Sequence, residues 1–278
     1  MKRKTVMAVA VALLVTAVAS AHDLFMKLDS YFLAPNSKAS VRLLNGTFRK
    51  SDGLVARDRF RDISLYPPDH SGPISESVTW RDEGKTTLMD FKTGGPGTYL
   101  AGVSTKPREI DLKAAEFNDY LQHDGIPDTL AERTKSNELK KDVRERYSKH
   151  VRAIFQVGNK LSDDYKRQFN YPAEIIPQQN PYALKVGDTI TVLCTVEGQP
   201  APHQFVMAGW ESRDGKLHAL DLLEARTDSG GFARVKLAGA GKWFIKFIHM
   251  TPLDDPNLNY ESKWASLTFE IRNRKRSS

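Results

Sequence analysis

Cysteine is nearly absent from this chain, which contains Cys194 and no other cysteine. A single cysteine excludes an internal disulfide, and it excludes the paired-cysteine motifs of structural metal sites. Cys194 lies within the apolar run 191–196, and this context predicts a buried thiol that does not react. The fold must therefore be held together by its hydrophobic core.

Long apolar runs are also missing, apart from one at the N-terminus. The run 5–18 is shorter than the roughly 20 residues that a membrane-spanning helix needs. It follows the basic residues 2–4 and precedes Ala19-Ser20-Ala21, a small-residue cleavage site, so residues 1–21 are predicted to be a signal peptide. We therefore expect a periplasmic or secreted protein whose processed chain has no transmembrane segment.

Motifs of the common enzyme classes are absent as well. The chain has no G-x-S-x-G elbow, no phosphate-binding P-loop and no H-E-x-x-H pair. The net charge of +7 decreases once the leader is removed, and part of the remaining excess lies in the basic tail 273–278. No nucleic-acid-binding motif accompanies this charge. We therefore predict neither an enzyme nor a nucleic-acid-binding protein.

Short extended runs separated by turn residues are typical of the segment 22–110, which predicts an N-terminal β-sandwich region. The run 40–43 ends before Asn45-Gly46. The run 87–91 is followed by a glycine-rich turn, 94–97, and then by a second extended run, 98–103. This arrangement predicts a β-hairpin.

The spacing of apolar residues changes in the segment 111–170, which predicts a helical insertion. A first helix should begin with Asp111 as its N-cap and end at Gly125. A second, longer helix is predicted from Asn137 to Gln156. Its apolar stripe comprises Leu139, Val143, Tyr147, Val151, Ile154 and Phe155.

Strand-like runs return from Ala173 onward, and the proline-containing segment 171–186 is predicted to be a linker. About seven of these runs, the first at 174–176, are separated by Gly, Asp and Pro turns and predict an immunoglobulin-like β-sandwich over residues 187–272. The predicted fold class is therefore mainly β, with two β-sandwich, immunoglobulin-like regions and a helical insertion between them.

His22 is the most informative single residue. Cleavage after Ala21 would leave His22 at a free N-terminus, where the α-amine and the ring Nδ1 can together chelate a metal ion. The α-amine titrates near pH 7.7–8.0 and is therefore available to a metal ion at neutral pH. We predict that His22 is a metal ligand.

His249 is the second candidate ligand. It ends an apolar run, 242–248, and a histidine at the end of such a strand should lie at the mouth of the sandwich, where loops gather. Asp23 and Glu261 are carboxylates that could complete the site. The predicted metal site thus has three nitrogen ligands, two of them from His22, with a carboxylate or water added. Such ligands suit nickel, cobalt or copper.

The chain resembles the domain of unknown function 4198 family over nearly all of the predicted processed chain. The resemblance rests on the segments 22–26, 118–125, 146–150, 157–158, 180–188, 227–232, 243–250 and 261–269. Phe25 departs from the family pattern, in which a tryptophan commonly follows near the processed N-terminus. By its label, the family implies a periplasmic component of nickel or cobalt uptake, so a membrane uptake transporter is the expected partner.

Two other functions stay open. The protein could be a non-enzymatic envelope β-sandwich that binds another protein or a glycan, with His22 incidental. It could instead be an oxidase with a single copper held by a histidine brace, since an N-terminal histidine and a second histidine form that brace. The sequence does not show whether His22 and His249 are neighbours in space.

Overall fold

The computed structural model describes residues 22–68, 74 and 77–273. The predicted signal peptide, 1–21, lies outside these residues, as does the end of the basic tail, 274–278. Strands arranged in three sheets make up most of the described chain, and two helices lie near its middle. The predicted fold class, mainly β with two sandwich regions and helices between them, is confirmed.

The N-terminal sheet consists of antiparallel strands in the order β1-β3-β7-β6, with β4 paired to β3. Its strands are β1 (Asp23–Leu28), β3 (Lys38–Gly46), β4 (Ser51–Gly53), β6 (Thr79–Glu83) and β7 (Thr86–Lys92). The first strand therefore begins one residue after His22.

The largest sheet, called the shared sheet here, has the order β15-β14-β17-β18-β10-β8-β5, and β2 and β9 also pair with β10. Its strands are β2 (Phe32–Leu33), β5 (Phe60–Tyr66), β8 (Gly97–Thr105), β9 (Arg108–Leu112), β10 (Val143–Val157), β14 (Phe205–Glu211), β15 (Leu217–Arg226), β17 (Gly241–Asp255) and β18 (Leu258–Ile271). Strands β10 and β18 run parallel, and their pairing joins the two halves of the molecule.

The C-terminal sheet is smaller. Strand β12 pairs with β11, β13 and β16, all antiparallel. The strands are β11 (Ala173–Pro177), β12 (Thr189–Val196), β13 (Gln199–Pro200) and β16 (Phe232–Lys236). Strand β11 lies within the segment predicted as a linker. Cys194 is fully buried on β12, as its apolar context predicted.

The two outer sheets cover opposite faces of the shared sheet. Along β10, Val151, Ala153 and Phe155 pack in the core beneath the N-terminal sheet, whereas Ile154 packs in the core beneath the C-terminal sheet. Successive strand residues point to opposite faces, so this division follows directly from strand geometry. Each sandwich therefore uses the shared sheet as one of its two layers.

The predicted long helix over Asn137–Gln156 is wrong, because most of that segment forms the strand β10. Every residue from Ser148 to Val157 is buried, since β10 is covered on both faces. A strand buried on both faces shows no period of two, and its apolar residues happened to match a helical stripe.

The predicted hairpin over 87–103 is also wrong, although both of its strands exist. Strand β7 pairs with β3 and β6 in the N-terminal sheet, whereas β8 pairs with β5 and β10 in the shared sheet. The glycine-rich turn 94–97 therefore carries the chain from one layer of the sandwich to the other.

Two helices occupy the rest of the predicted insertion, α1 (Ala114–His123) and α2 (Pro127–Lys135). The first predicted helix is thus confirmed, and Gly125 follows it with a φ of 81°, a conformation that glycine adopts readily. Its predicted N-cap is wrong: Asp111 lies in β9, and the backbone N–H of Ala114 donates instead to Asp142. Helix α1 packs on Ile248 and Trp264, on the same face of the shared sheet as the N-terminal sheet.

Candidate functional site

The start of β1 is anchored by a buried lysine. Lys246, on β17, is 5% exposed, and its Nζ lies 2.6 Å from a carboxylate oxygen of Asp23 and 3.0 Å from one of Asp124. Burial alone would lower the pKa of Lys246, but these two carboxylates raise it above its ordinary value. The ion pairs fix the N-terminal strand against the end of α1.

A second buried lysine holds the residue before that strand. Lys149, on β10, is 7% exposed, and its Nζ donates to the backbone carbonyl of His22. The ammonium also lies 5.0 Å from the ring centre of Trp264 and 5.4 Å from that of Tyr147. Lys149 and Trp264 are partners in the parallel pairing of β10 and β18, which explains why they meet.

Two adjoining cavities open beside these residues, and we call them together the N-terminal cleft. The outer lobe, of about 140 Å³, is lined by Leu24, Asn45, Leu54, Val55, Ala56, Arg59, Thr105, Arg108, Tyr147 and Lys149. The inner lobe, of about 90 Å³, is lined by His22, Asn45, Ile110, Glu145, Tyr147, Lys149 and Trp264. Asn45, Tyr147 and Lys149 line both lobes.

The outer lobe carries an excess of positive charge. Arg59, Arg108 and Lys149 line it, and in the part of the chain that the structure describes none of the three forms an ion pair. The Arg59 guanidinium stacks 5.5 Å from the ring centre of Tyr147, and its buried Nε has no hydrogen-bond acceptor among the described residues. Burial lowers the pKa of Lys149 to about 8.

The inner lobe contains a buried carboxyl group, that of Glu145. The side chain is 1% exposed, and burial raises its pKa to about 7. Its Oε1 accepts hydrogen bonds from the hydroxyls of Ser262 and Tyr120, whereas Oε2 has no partner among the described residues. Glu145 therefore has one buried carboxyl oxygen without a partner at the wall of the inner lobe.

His22 lies at the edge of the inner lobe. Its side chain is partly exposed, and its Nδ1 is 3.8 Å from a carboxylate oxygen of Asp52. Asp23, the other predicted ligand in this part of the chain, is held by Lys246. The structure thus brings His22 to the N-terminal cleft, whereas Asp23 lines neither lobe. Asp52, next to the His22 ring, is a further carboxylate that the sequence did not indicate.

His249 lines a different cavity, of about 220 Å³, next to the start of α2. That cavity is lined by Gly125, Ile126, Pro127, Asp128, Thr129, Pro202, His203, Gln204, Phe205, Ile248, His249 and Met250. A ring nitrogen of His249 is 3.0 Å from the side-chain oxygen of Gln204, and burial lowers the pKa of the imidazole. His22 and His249 therefore do not share a cavity.

Glu261 is engaged by two cations. Its carboxylate accepts hydrogen bonds from Arg146 at 2.9 Å and from Lys263 at 2.7 Å. Although burial acts to raise the pKa of Glu261, these hydrogen bonds hold it below its ordinary value. Across residues 22–68, 74 and 77–273, no three His, Cys, Asp or Glu side chains are grouped so as to hold a metal ion. The four predicted ligands thus do not form one set.

One of the charged residues that build the site could have been identified from the sequence. Lys246 interrupts the apolar run 242–248, and a lysine in a strand buried on both faces requires an anionic partner. Lys149 and Glu145 gave no such signal. Both fall within the segment predicted as a helix, where charged side chains between apolar positions indicate a solvent-facing surface.

Comparison with family models gives one match, to the domain of unknown function DUF4198, over residues 19–251. The match includes every residue that lines the outer lobe and the cavity beside His249, and every residue that lines the inner lobe except Trp264. Among curated proteins, none matches the chain.

Three of the solved structures that match the chain are distantly similar to it. The chain is 11% identical to the D0-D1 domain of intimin, covering 89% of this chain and 97% of that one, with a TM-score of 0.21. It is 12% identical to the Escherichia coli adhesin FdeC, covering 91% and 65%, with a TM-score of 0.22. For trypsin-activated alpha-2-macroglobulin from Escherichia coli the identity is 11%, the coverage 91% and 16%, and the TM-score 0.25. These scores are too low to support a functional argument.

Proposed function

The chain belongs to the DUF4198 family, and from this premise we propose that it is an exported envelope protein that binds a small ligand in the N-terminal cleft. The supporting observation is the buried charge that surrounds the cleft. Lys149 and Glu145 are both more than nine-tenths buried and line it. Burying such groups costs free energy, so their retention beside a cavity favours a binding role.

The cleft has the general character of a ligand site. Apolar side chains and the aromatic rings of Tyr147 and Trp264 form much of its wall, and a few polar groups project into it. Export is supported by the predicted leader, 1–21. Cleavage after Ala21 would place the new N-terminus at the inner lobe, because His22 lines that lobe.

Binding at the cleft is testable by fluorine NMR on the processed protein labelled with 5-fluorotryptophan. We expect at least one of glucose, ethanolamine and succinate to shift the Trp264 resonance in a saturable way, because the indole lines the inner lobe. Trp243, fully buried in the C-terminal core, is the internal control and should not move. If all three probes leave Trp264 unchanged and none of them binds in a calorimetric titration, the proposed binding site is wrong.

Export is testable separately, by mass spectrometry of protein recovered from the periplasm. We expect a first residue of His22. A different first residue, or retention of the full-length chain inside the cell, would contradict the predicted processing.

A second candidate function is binding of a transition-metal ion at His22, as expected of an accessory to nickel or cobalt uptake. The observation in its favour is the position of the His22 ring, 3.8 Å from Asp52 at the edge of the cleft. After processing, the α-amine, Nδ1 and this carboxylate would be the ligands. Such ligands suit nickel, cobalt and copper.

This second function is testable by titrating the processed protein with Ni²⁺, Co²⁺ and Cu²⁺ in a calorimeter. We expect stoichiometric binding by the chain that begins at His22. The matched control keeps Ala21 in front of His22 and should bind much more weakly, because its α-amine is displaced from the chelate. Equal binding by the two chains would contradict the role of His22.

A further inference from the structure

Lys149 is a buried cation with little negative charge close to it. Its ammonium contacts the His22 carbonyl and the rings of Tyr147 and Trp264, but it forms no ion pair with any residue in the described part of the chain. Asp23 is its strongest favourable charge, and that carboxylate is bound to Lys246. A buried cation without a close anion is costly, so an anion bound next to Lys149 would stabilise it.

Two arginines extend this positive charge across the outer lobe. Arg59 presents a buried Nε that has no acceptor among the described residues, although its Nη2 donates to the carbonyl of Lys106. Arg108 is exposed at the rim of the same lobe. A guanidinium has several donors in a fixed plane and matches the two oxygens of a carboxylate or phosphate group.

Carboxylates of the protein do not cancel this charge. Glu145 is the acidic residue that lines the cleft, and it belongs to the inner lobe rather than the outer one. Burial raises its pKa to about 7, so a substantial fraction of its carboxyl groups is protonated at neutral pH. The outer lobe therefore keeps a net positive charge, beside the apolar side chains of Leu24 and Val55.

We infer that the ligand of the N-terminal cleft is a small organic anion, whose carboxylate or phosphate group is held by Arg59, Arg108 and Lys149 in the outer lobe. This inference rests on the proposed binding role of the cleft and adds the chemical class of the ligand. The apolar wall of the lobe contacts the carbon atoms of that ligand. Its volume of about 140 Å³ restricts the site to small molecules.

The test is calorimetric titration of the processed protein with succinate and, separately, with inorganic phosphate. We expect saturable binding of at least one of them. Arg59→Gln and Arg108→Gln should each weaken it by about 10-fold or more, because each removes a charge-assisted hydrogen bond. Arg213→Gln is the matched control, since Arg213 is exposed in the turn after β14 and lines neither lobe. The control variant should bind as the wild type does.

The two probes distinguish the forms of the ligand. Stronger binding of succinate indicates a carboxylic acid, and stronger binding of phosphate indicates a phosphorylated compound. Affinity should also decrease as the ionic strength rises above about 0.1 M, as expected for a partly exposed charged site. Lys149→Met is a useful additional variant, but the conclusion depends on the arginine variants, which remove less buried groups.

Several outcomes would overturn this inference. If glucose or ethanolamine shifts the Trp264 resonance while neither anion binds, the cleft is a binding site for another class of ligand, and the proposed function survives without the inference. If an anion binds equally well to wild type, Arg59→Gln and Arg108→Gln, its site lies elsewhere. If no probe affects Trp264 and neither anion binds, both proposals fail.

Discussion

At the scale of single residues, the site is defined by charged groups that are buried among apolar ones. Lys246 is compensated by two carboxylates, whereas Lys149 and the unpaired oxygen of Glu145 are not fully compensated within the described chain. Such groups are expensive to bury and shift their pKa values accordingly. The free-energy cost of burying these groups should therefore be measurable as a dependence of stability on pH.

Glu145 gives the clearest prediction of this kind. Its carboxyl has a pKa of about 7 in the folded chain and 4.5 as its ordinary value. Between these two values the folded state binds the proton more tightly than the unfolded state, so the free energy of unfolding decreases as pH rises. The total loss is about 3 kcal/mol, at 1.36 kcal/mol for each unit of pKa difference.

Glu145→Gln should abolish this loss, so its stability relative to wild type should increase from pH 4.5 to pH 7. Urea denaturation over this range measures the difference. Glu261→Gln is the matched control: the pKa of its carboxyl is lowered, so its contribution to stability changes below pH 4.5, and the stability of this variant relative to wild type should stay nearly constant from pH 4.5 to pH 7. If the free energies of unfolding of wild type and Glu145→Gln change with pH in the same way, the burial assigned to Glu145 is wrong.

At the scale of elements, the predicted insertion contains helix α1 where the sequence indicated a helix, but its start is set by a distant residue. The backbone N–H of Ala114 donates to Asp142, 3.0 Å away, and Lys113 also pairs with this carboxylate. Asp111, which has the residue type of a good N-cap, lies in β9 instead. Capping of this helix therefore combines a tertiary contact with Asp142 and a local one, from the backbone N–H of Lys113 to Glu116.

Removal of the cap should destabilise the protein slightly. Asp142→Ala leaves an N-terminal N–H group without its acceptor, and we expect Tm to decrease by about 2–4 °C. Asp111→Ala is the control and should leave Tm nearly unchanged, since its carboxylate is 82% exposed and only loosely paired with Arg144. Differential scanning calorimetry measures both. A larger decrease in Tm for Asp111→Ala than for Asp142→Ala would instead support Asp111 as the N-cap, as the sequence predicted.

At the scale of the whole molecule, β10 and β18 belong to both sandwiches. Ile154 and Phe155 are adjacent on β10 and fully buried, yet they pack in different cores. The two sandwiches should therefore unfold together, because neither can lose its layer of the shared sheet without disrupting the other.

Core truncations test this coupling. Ile154→Ala should cost roughly 2–5 kcal/mol and Phe155→Ala roughly 3–5 kcal/mol. Each should lower the denaturation midpoint of both sandwiches. Fluorine NMR of Trp80, which packs against the N-terminal core, and of Trp243, in the C-terminal core, reports the two separately. Leu161→Ala is the control, since Leu161 is 46% exposed. Two separate transitions in either variant would contradict a shared sheet.

The sequence by itself determined the fold class and most of the C-terminal strands. Turn residues and short apolar runs are local signals, and they are present wherever a strand is covered on one face or ends at a tight turn. The same local signals located helix α1 and the buried thiol of Cys194. They also marked His22 as the first residue after the predicted leader.

Only the tertiary structure decided what β10 is, how β7 and β8 pair, and which charged residues meet. A strand buried on both faces has no period that distinguishes it from a helix, and a turn does not specify the sheet that its second strand joins. The N-terminal cleft depends on side chains from β1, β3, β8, β9, β10 and β18. Contacts that hold these strands together, such as that of the Ser266 hydroxyl with the Leu24 carbonyl, join residues 242 positions apart. Distances of that kind are set by packing of the sheets, and no local pattern encodes them.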